Sequence, residues 1–318
     1  MRRCKVRTSL LPALFALLAA TAGRAVTPDP KLLSLVPPDA QIVAGMKAHQ
    51  DHRTNFIIMS HQDSIDLADF CALTGVDTAL RIKESISVAG ADTAGPPTEH
   101  SLLVSGRFDQ ARIFKAALEN GATLKEYDGI RVLVIQPFAR ERAEFNEVRW
   151  LAILDSEVLL FGSIANVQQE LDRHLAGSAP DPLLLRRLAR LRRNDDTWTL
   201  LSLPVWDPEI QNALSVVDLN LADRLKDGEW LQFGIRYGRQ VEFEYEITTA
   251  SSDTPRANSD RFTQSIAGLE KGMALLPPAD IATDDHTVRG VIRISVSRYD
   301  AWLAEVSACD RGGRIASR

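Results

Sequence analysis

Leu231-Gln232-Phe233-Gly234-Ile235-Arg236-Tyr237-Gly238-Arg239-Gln240-Val241-Glu242-Phe243-Glu244-Tyr245-Glu246-Ile247 reads as two strands and a turn. Leu231, Phe233, Ile235 and Tyr237 alternate with Gln232, Gly234 and Arg236, and after Gly238-Arg239 the series Val241, Phe243, Tyr245, Ile247 alternates with Glu242, Glu244, Glu246. A strand projects successive side chains to opposite sides, so this spacing predicts a hairpin with one apolar and one charged face. Val288, Ile292 and Ile294 continue the apolar face, with Arg289 and Arg293 opposite. An apolar sheet face needs a cover while a polar one can meet water. The expected fold class is therefore α+β, mainly antiparallel sheets with helices packed on one face.

Working outward, Gln41 to Met46, Ser85 to Ala89, Ser101 to Phe108, Ile130 to Ile135, Val148 to Leu154 and Val158 to Phe161 are strand-like, the last two joined by a hairpin at Asp155-Ser156. Asp109 is placed as a helix N-cap, with Phe108 and Ile113 as a hydrophobic staple and Gly121 as the stop. A second capped helix starts at Ser163 and carries Ile164, Val167, Leu171 and Leu175 at helical spacing. Asp181-Pro182, Asp207-Pro208 and Thr254-Pro255 mark three further starts, and Ser297-x-x-Asp300 a capping box. Pro28, Pro30 and Pro37 make residues 26–37 an expected extended lead-in. A break at Gly177-Ser178-Ala179-Pro180 divides the chain into a first α+β half at 26–179 and a second at 180–307, followed by a polar C-terminal tail at 308–318. The order strand, helix, strand, strand, helix, strand fits both halves loosely, so the expectation extends to two related halves.

Residues 1–25 have the pattern of a secretory signal peptide. Arg2, Arg3, Lys5 and Arg7 precede an apolar run from Leu10 to Gly23, and Gly23-Arg24-Ala25 is a small-x-small cleavage site. The run would span about 21 Å as a helix, short of the ~30 Å hydrocarbon core. The leader carries five of the 37 basic residues and none of the 42 acidic ones, so the mature chain would hold 32 against 42, a net charge of −10. That sign argues against a general nucleic-acid partner. No later apolar stretch reaches the ~18 residues of a transmembrane helix, so the expected location is the periplasm or outside the cell, without a transmembrane span in the mature chain.

Several segments carry a resemblance. Leu35-Val36-Pro37-Pro38-Asp39-Ala40-Gln41-Ile42-Val43-Ala44-Gly45, Leu73-Thr74-Gly75-Val76-Asp77, Gly106-Arg107-Phe108-Asp109 and Asp196-Thr197-Trp198 resemble, in this order, a family of uncharacterised bacterial exported proteins. The resemblance implies an exported α+β protein of about this length with no assigned catalytic residues.

Candidate chemistry is sparse. His49, His52, His61 and Asp63 are the residues that could surround a metal such as zinc, although their spacing matches no established ligand motif. Cys71 and Cys309 are the only thiols after the leader, and either pair as a disulfide or leave Cys71 as a small buried hydrophobe. Glu242, Glu244 and Glu246 form an acidic stripe able to bind a cation or basic partner, or to remain a solvated face screened by Arg236, Arg289 and Arg293. Arg186, Arg187 and Arg190 lie on a basic amphipathic segment suited to an anionic surface. There is no Gly-x-Ser-x-Gly elbow, P-loop or Gly-x-Gly-x-x-Gly turn. The expectation is a non-catalytic binding protein of the cell envelope, with no cofactor, whose partner is an envelope protein or an anionic surface. The alternative is an exported hydrolase or metal-dependent enzyme using the segment from His49 to Asp63.

Overall fold

The structure, a computed structural model, describes residues 28–47, 82–90, 100–136, 148–191, 195–203, 228–249, 280–284 and 286–301. Among these residues twelve strands form one sheet: β1 (Ala40–Lys47), β2 (Ile82–Gly90), β3 (His100–Gly106), β4 (Thr123–Tyr127), β5 (Ile130–Ile135), β6 (Arg149–Leu154), β7 (Val158–Ser163), β8 (Thr197–Ser202), β9 (Gly228–Tyr237), β10 (Gln240–Thr249), β11 (Asp280–Thr283) and β12 (Thr287–Ser295). Their spatial order is β11-β12-β10-β9-β8-β1-β2-β3-β7-β6-β5-β4. Every neighbouring pair is antiparallel. The helices are α1 (Pro30–Leu35), α2 (Gln110–Glu119), α3 (Ile164–Leu175) and α4 (Pro182–Leu188), with residues 296–301 also helical.

The first strands of the two expected halves meet at the middle. β1 pairs with β8 so that Gly45 lies opposite Trp198. From this seam the chain runs outward as β1, β2, β3 on one side and β8, β9, β10 on the other. Trp198 lies between two glycines, since its partner on the far side is Gly234 of β9. A methyl group built at Gly45 would overlap the buried indole, approaching within 2.6 Å of its Nε1. Trp198 can cross the seam because Gly45 has no side chain.

Both sheet faces are covered, which departs from the one-sided packing expected. On the front face, Leu32, Leu33 and Leu35 of α1, Val167 and Leu171 of α3, and Leu184 and Leu188 of α4 join Val43, Leu103, Val134, Trp150 and Leu200 in one core. On the back face, Ile113, Phe114 and Ala117 of α2 pack with Leu102, Leu133, Leu151 and Phe161. Further along the back, Tyr299 packs with Ile235, Val241, Phe243 and Ile294. The physical reason lies in β6 and β7, whose residues are all buried. A strand apolar on both sides requires a layer on each.

Helix starts follow local chemistry. Asp109 Oδ1 accepts from Arg112 N at 3.1 Å, Ser163 Oγ from Asn166 N at 3.3 Å, and Asp181 Oδ1 from Leu183 N at 3.0 Å. Gly121 follows α2 with φ +93°, the left-handed stop. The expected hairpin at Asp155-Ser156 forms, with φ 49° and 54°. Two expectations are corrected. Residues 26–37 are not a continuous extended lead-in, because Asp29 Oδ1 accepts from Lys31 N at 3.0 Å and Pro30 opens α1. The last helix is capped by Ser295, not Ser297: Ser295 Oγ accepts from Arg298 N at 3.3 Å where β12 ends. The helix starts expected at Asp207-Pro208 and Thr254-Pro255, the leader and the tail lie outside the described residues.

Candidate functional site

The acidic stripe and the basic segment, separate in the sequence, meet in space. β10 puts Glu242, Glu244 and Glu246 on the front face, where register sets Arg236 beside Glu242 on β9 and Arg293 and Arg289 beside Glu242 and Glu246 on β12. α4 crosses this face at its C-terminal end. Asp181 and Pro182 start the helix, Leu184 and Leu188 anchor it in the core, and the next residues carry Arg190 to Glu246.

The distances define an ion-paired network. Arg190 Nη1 donates to Glu246 Oε1 at 3.1 Å, and the Gln232 side-chain amide donates to the same oxygen at 3.1 Å. Arg289 spans two carboxylates, with Nε 3.2 Å from Glu244 Oε1 and Nη2 2.5 Å from Glu246 Oε2. Arg236 Nη2 is 2.5 Å from Glu242 Oε1, which also has Arg293 Nε at 3.7 Å. Arg293 Nη1 extends the network to Asp280 of β11 at 2.8 Å. Among the described residues, four guanidinium groups thus face four carboxylates.

The layering corrects the reading of the stripe as a solvated face. The Glu246, Glu244 and Glu242 side chains are only 8%, 10% and 17% exposed, whereas those of Arg190, Arg289 and Arg293 are 51%, 44% and 41% exposed. The three glutamates form the lower storey and the guanidiniums the upper one, while Asp280, 81% exposed, sits at the outer rim. The physical cause is length and hydration: an arginine stem reaches over a buried glutamate while its weakly hydrated fork still touches water. The expectation that Phe243, Tyr245 and Ile247 are buried holds on the other face, and burial raises the Tyr245 phenol pKa well above its usual value. Arg190, Gln232, Glu244 and Arg289 line a small depression with room for little more than a single water.

Arg187 does not join this upper storey. Its guanidinium carbon sits 3.0 Å from the centre of the Trp230 ring, and burial draws its pKa down to about 10. Stacking on an indole fixes α4 against β9. Arg186 is exposed on the outer side of α4. Of the expected binding residues, then, Glu242, Glu244, Glu246 and Arg190 are brought together, Arg187 is used in packing, and Arg186 stands apart. Gln232 and Asp280 were not anticipated. Gln232 was readable from the hairpin register, being paired with Glu246, whereas Asp280 belongs to a four-residue strand too short to carry a periodic signal.

Such a network has hydrogen-bond donors to spare. Each guanidinium offers five N–H groups in a planar fork and spends only some of them on the carboxylates below. The remaining donors can take up an oxyanion from outside. His49, His52, His61, Asp63, Cys71 and Cys309 lie outside the described residues, and among the described residues no group of three or more His, Cys, Asp and Glu is arranged to hold a metal. Compared with models of protein families, with curated proteins and with solved structures, the chain matches none.

Proposed function

We propose that this chain is an exported protein of the cell envelope that works by binding rather than by catalysis, with the charged seam between α4 and β10 as its contact surface. One observation carries the reading. A stripe and a helix far apart in sequence converge through the Arg190–Glu246 pair, at 3.1 Å, to present a layer of guanidiniums over buried carboxylates. Buried carboxylates hold the forks in place, so an incoming anionic group meets preorganised donors rather than flexible side chains. The matching ligand chemistry is a carboxylate or phosphate on an envelope component. We also infer that the two halves are related, a reading supported by the mirrored course of β1, β2, β3 and β8, β9, β10 about the central seam.

The experiment is flotation of the purified mature chain with vesicles of phosphatidylcholine alone or mixed with phosphatidylglycerol, at low and high salt. Retention on the anionic vesicles, reduced by salt and lost when Arg190 and Arg293 are both replaced by Gln, supports the reading. Equal retention of wild type and double variant removes the seam from consideration. Export is tested separately: the N-terminus of the protein recovered from the envelope fraction should begin at Val26, and a chain still carrying residues 1–25 would overturn it.

A further inference from the structure

α3 rests on the front face with Val167, Glu170 and Leu171 turned inward. Two of these are aliphatic and belong to the core; the third is a carboxylic acid with 0% of its surface exposed. The sheet is shaped to receive it. Ser101 of β3 is opposite Gly162 of β7 on one side and Val88 of β2 on the other, so a small hydroxyl and a bare backbone replace two core side chains. The Ser101 hydroxyl donates to Glu170 Oε1, and among the described residues Oε2 has no hydrogen-bond partner.

Charges on the elements around α3 are engaged elsewhere. On this face β3 and β7 present serine, leucine, valine and glycine, including Ser101, Leu103, Leu160 and Gly162. Arg149 of β6 alternates with the front-face residue Trp150 and so belongs to the back. On α1, Lys31 pairs with Glu157, and Asp29 caps the helix. Glu84 of β2 accepts from Asp29 N at 2.8 Å. On α3 itself, Asp172 accepts from the Tyr127 hydroxyl at 2.8 Å, Arg173 donates to the carbonyls of Ser34 and Ala179, each at 3.0 Å, and His174 is half-buried in the last turn. Burial pushes the Glu170 pKa up against the pull of the Ser101 hydroxyl, leaving it at about 8.

We propose that Glu170 is a protonation latch: as a neutral acid it seats α3 on the sheet, and its ionisation favours an unseated helix, so the cover of the first half tightens in acid and loosens as the pH rises. In the step, the Glu170 carboxyl gives its proton to solvent water as the helix lifts, and the carboxylate left behind is hydrated outside the core. Lifting α3 also strains its contacts to α1 through Arg173 and to β4 through Asp172. The direction follows from linkage. The seated form keeps its proton up to about pH 8 while the lifted form loses it near the ordinary glutamate value of 4.5, so opening becomes more favourable throughout that interval and levels off above it.

The test is hydrogen exchange of the amides of 164–175 in the mature chain, with Glu170→Gln measured at each pH to cancel the base catalysis of exchange itself. Between about pH 5.5 and 7.5, opening in the wild type should rise about a hundredfold relative to opening in Glu170→Gln, which follows from one proton over two pH units. A carbon-13 titration of the Glu170 carboxyl in the wild-type chain, assigned through the backbone, keeps the question decidable even if Glu170→Gln fails to fold. A midpoint near 8, moved upward in Ser101→Ala, agrees with the latch. A midpoint below about 6, or exchange that runs parallel in wild type and Glu170→Gln, overturns it.

Discussion

Replacing Arg289 with methionine probes how the charged seam is held. Methionine keeps an unbranched stem and removes the guanidinium that bridges Glu244 and Glu246, whose side chains are 10% and 8% exposed. Breaking a buried ion pair from one side costs ~3–5 kcal/mol, because a charge is left without compensation. Exposed pairs are worth only ~0–1 kcal/mol. Arg289 lies between these limits, since its own side chain is 44% exposed while its partners are covered. Glu246 retains Arg190 and the Gln232 amide, each at 3.1 Å, which keeps the loss below the upper limit. The expected cost is about 2 kcal/mol at pH 7, read as a lower urea midpoint with an unchanged slope. Adding Glu244→Gln to Arg289→Met should restore about 1 kcal/mol at pH 7, a coupling measurable as a double-mutant cycle. An Arg289→Met chain as stable as wild type, or a cycle that shows no coupling between Arg289 and Glu244, refutes the two-storey account and leaves Arg289 as a surface residue.

Gly45→Ala should cost about 2–3 kcal/mol, because the new methyl meets the rigid Trp198 indole at the central seam. Scanning calorimetry should show the transition falling by roughly 5–10 °C, with part of the loss recovered by Trp198→Phe; an unchanged melting temperature would mean the seam has slack. Asp181→Ala removes acceptors for Leu183 N at 3.0 Å and Leu184 N at 3.4 Å and should cost ~1 kcal/mol in denaturant unfolding. The same substitution should weaken anionic-vesicle retention, since α4 delivers Arg190 to the seam, and full retention would show that the helix start does not position it.

What the sequence made legible was local. β9 and β10 declared themselves because alternation survives wherever one strand face differs chemically from the other, and the caps at Asp109, Ser163 and Asp181 because each is a side chain satisfying an amide a few residues away. Asp29-Pro30 carries the same signature as Asp181-Pro182, but the flanking Pro28 and Pro37 disguised it as an extended segment. β4 has four exposed residues and one half-buried residue, so burial imposes no pattern on it; the signal there was Asp128-Gly129, whose φ values of 46° and 84° make the turn into β5. Two-sided cover was legible in principle from the unbroken apolar runs Trp150 to Leu154 and Val158 to Phe161, which a sheet with one wet face does not need. Glu170 shares the inward side of α3 with Val167 and Leu171 by spacing alone, but residue type argued for water.

The site was legible as parts and not as a whole, for a reason the fold makes plain. Glu246 and Arg190 are 56 residues apart, and their meeting depends on where α4 lies on the front of the sheet. β6 and β7, apolar on both sides, call for a helical layer on each face of the first half. β10, apolar on one side only, can close its other face with paired charges. α4 stands where one solution passes into the other: Leu184 and Leu188 belong to the apolar layer, Arg187 stacks on Trp230, and Arg190 reaches the first buried carboxylate. The proposed contact surface is thus set by the change from apolar to ionic covering along a single sheet. A substitution that extends the apolar layer, such as Glu246→Leu together with Arg190→Leu, should preserve folding while weakening anion retention, because ion pairs and well-packed apolar groups close such a face about equally well, and only the former leaves donors facing outward.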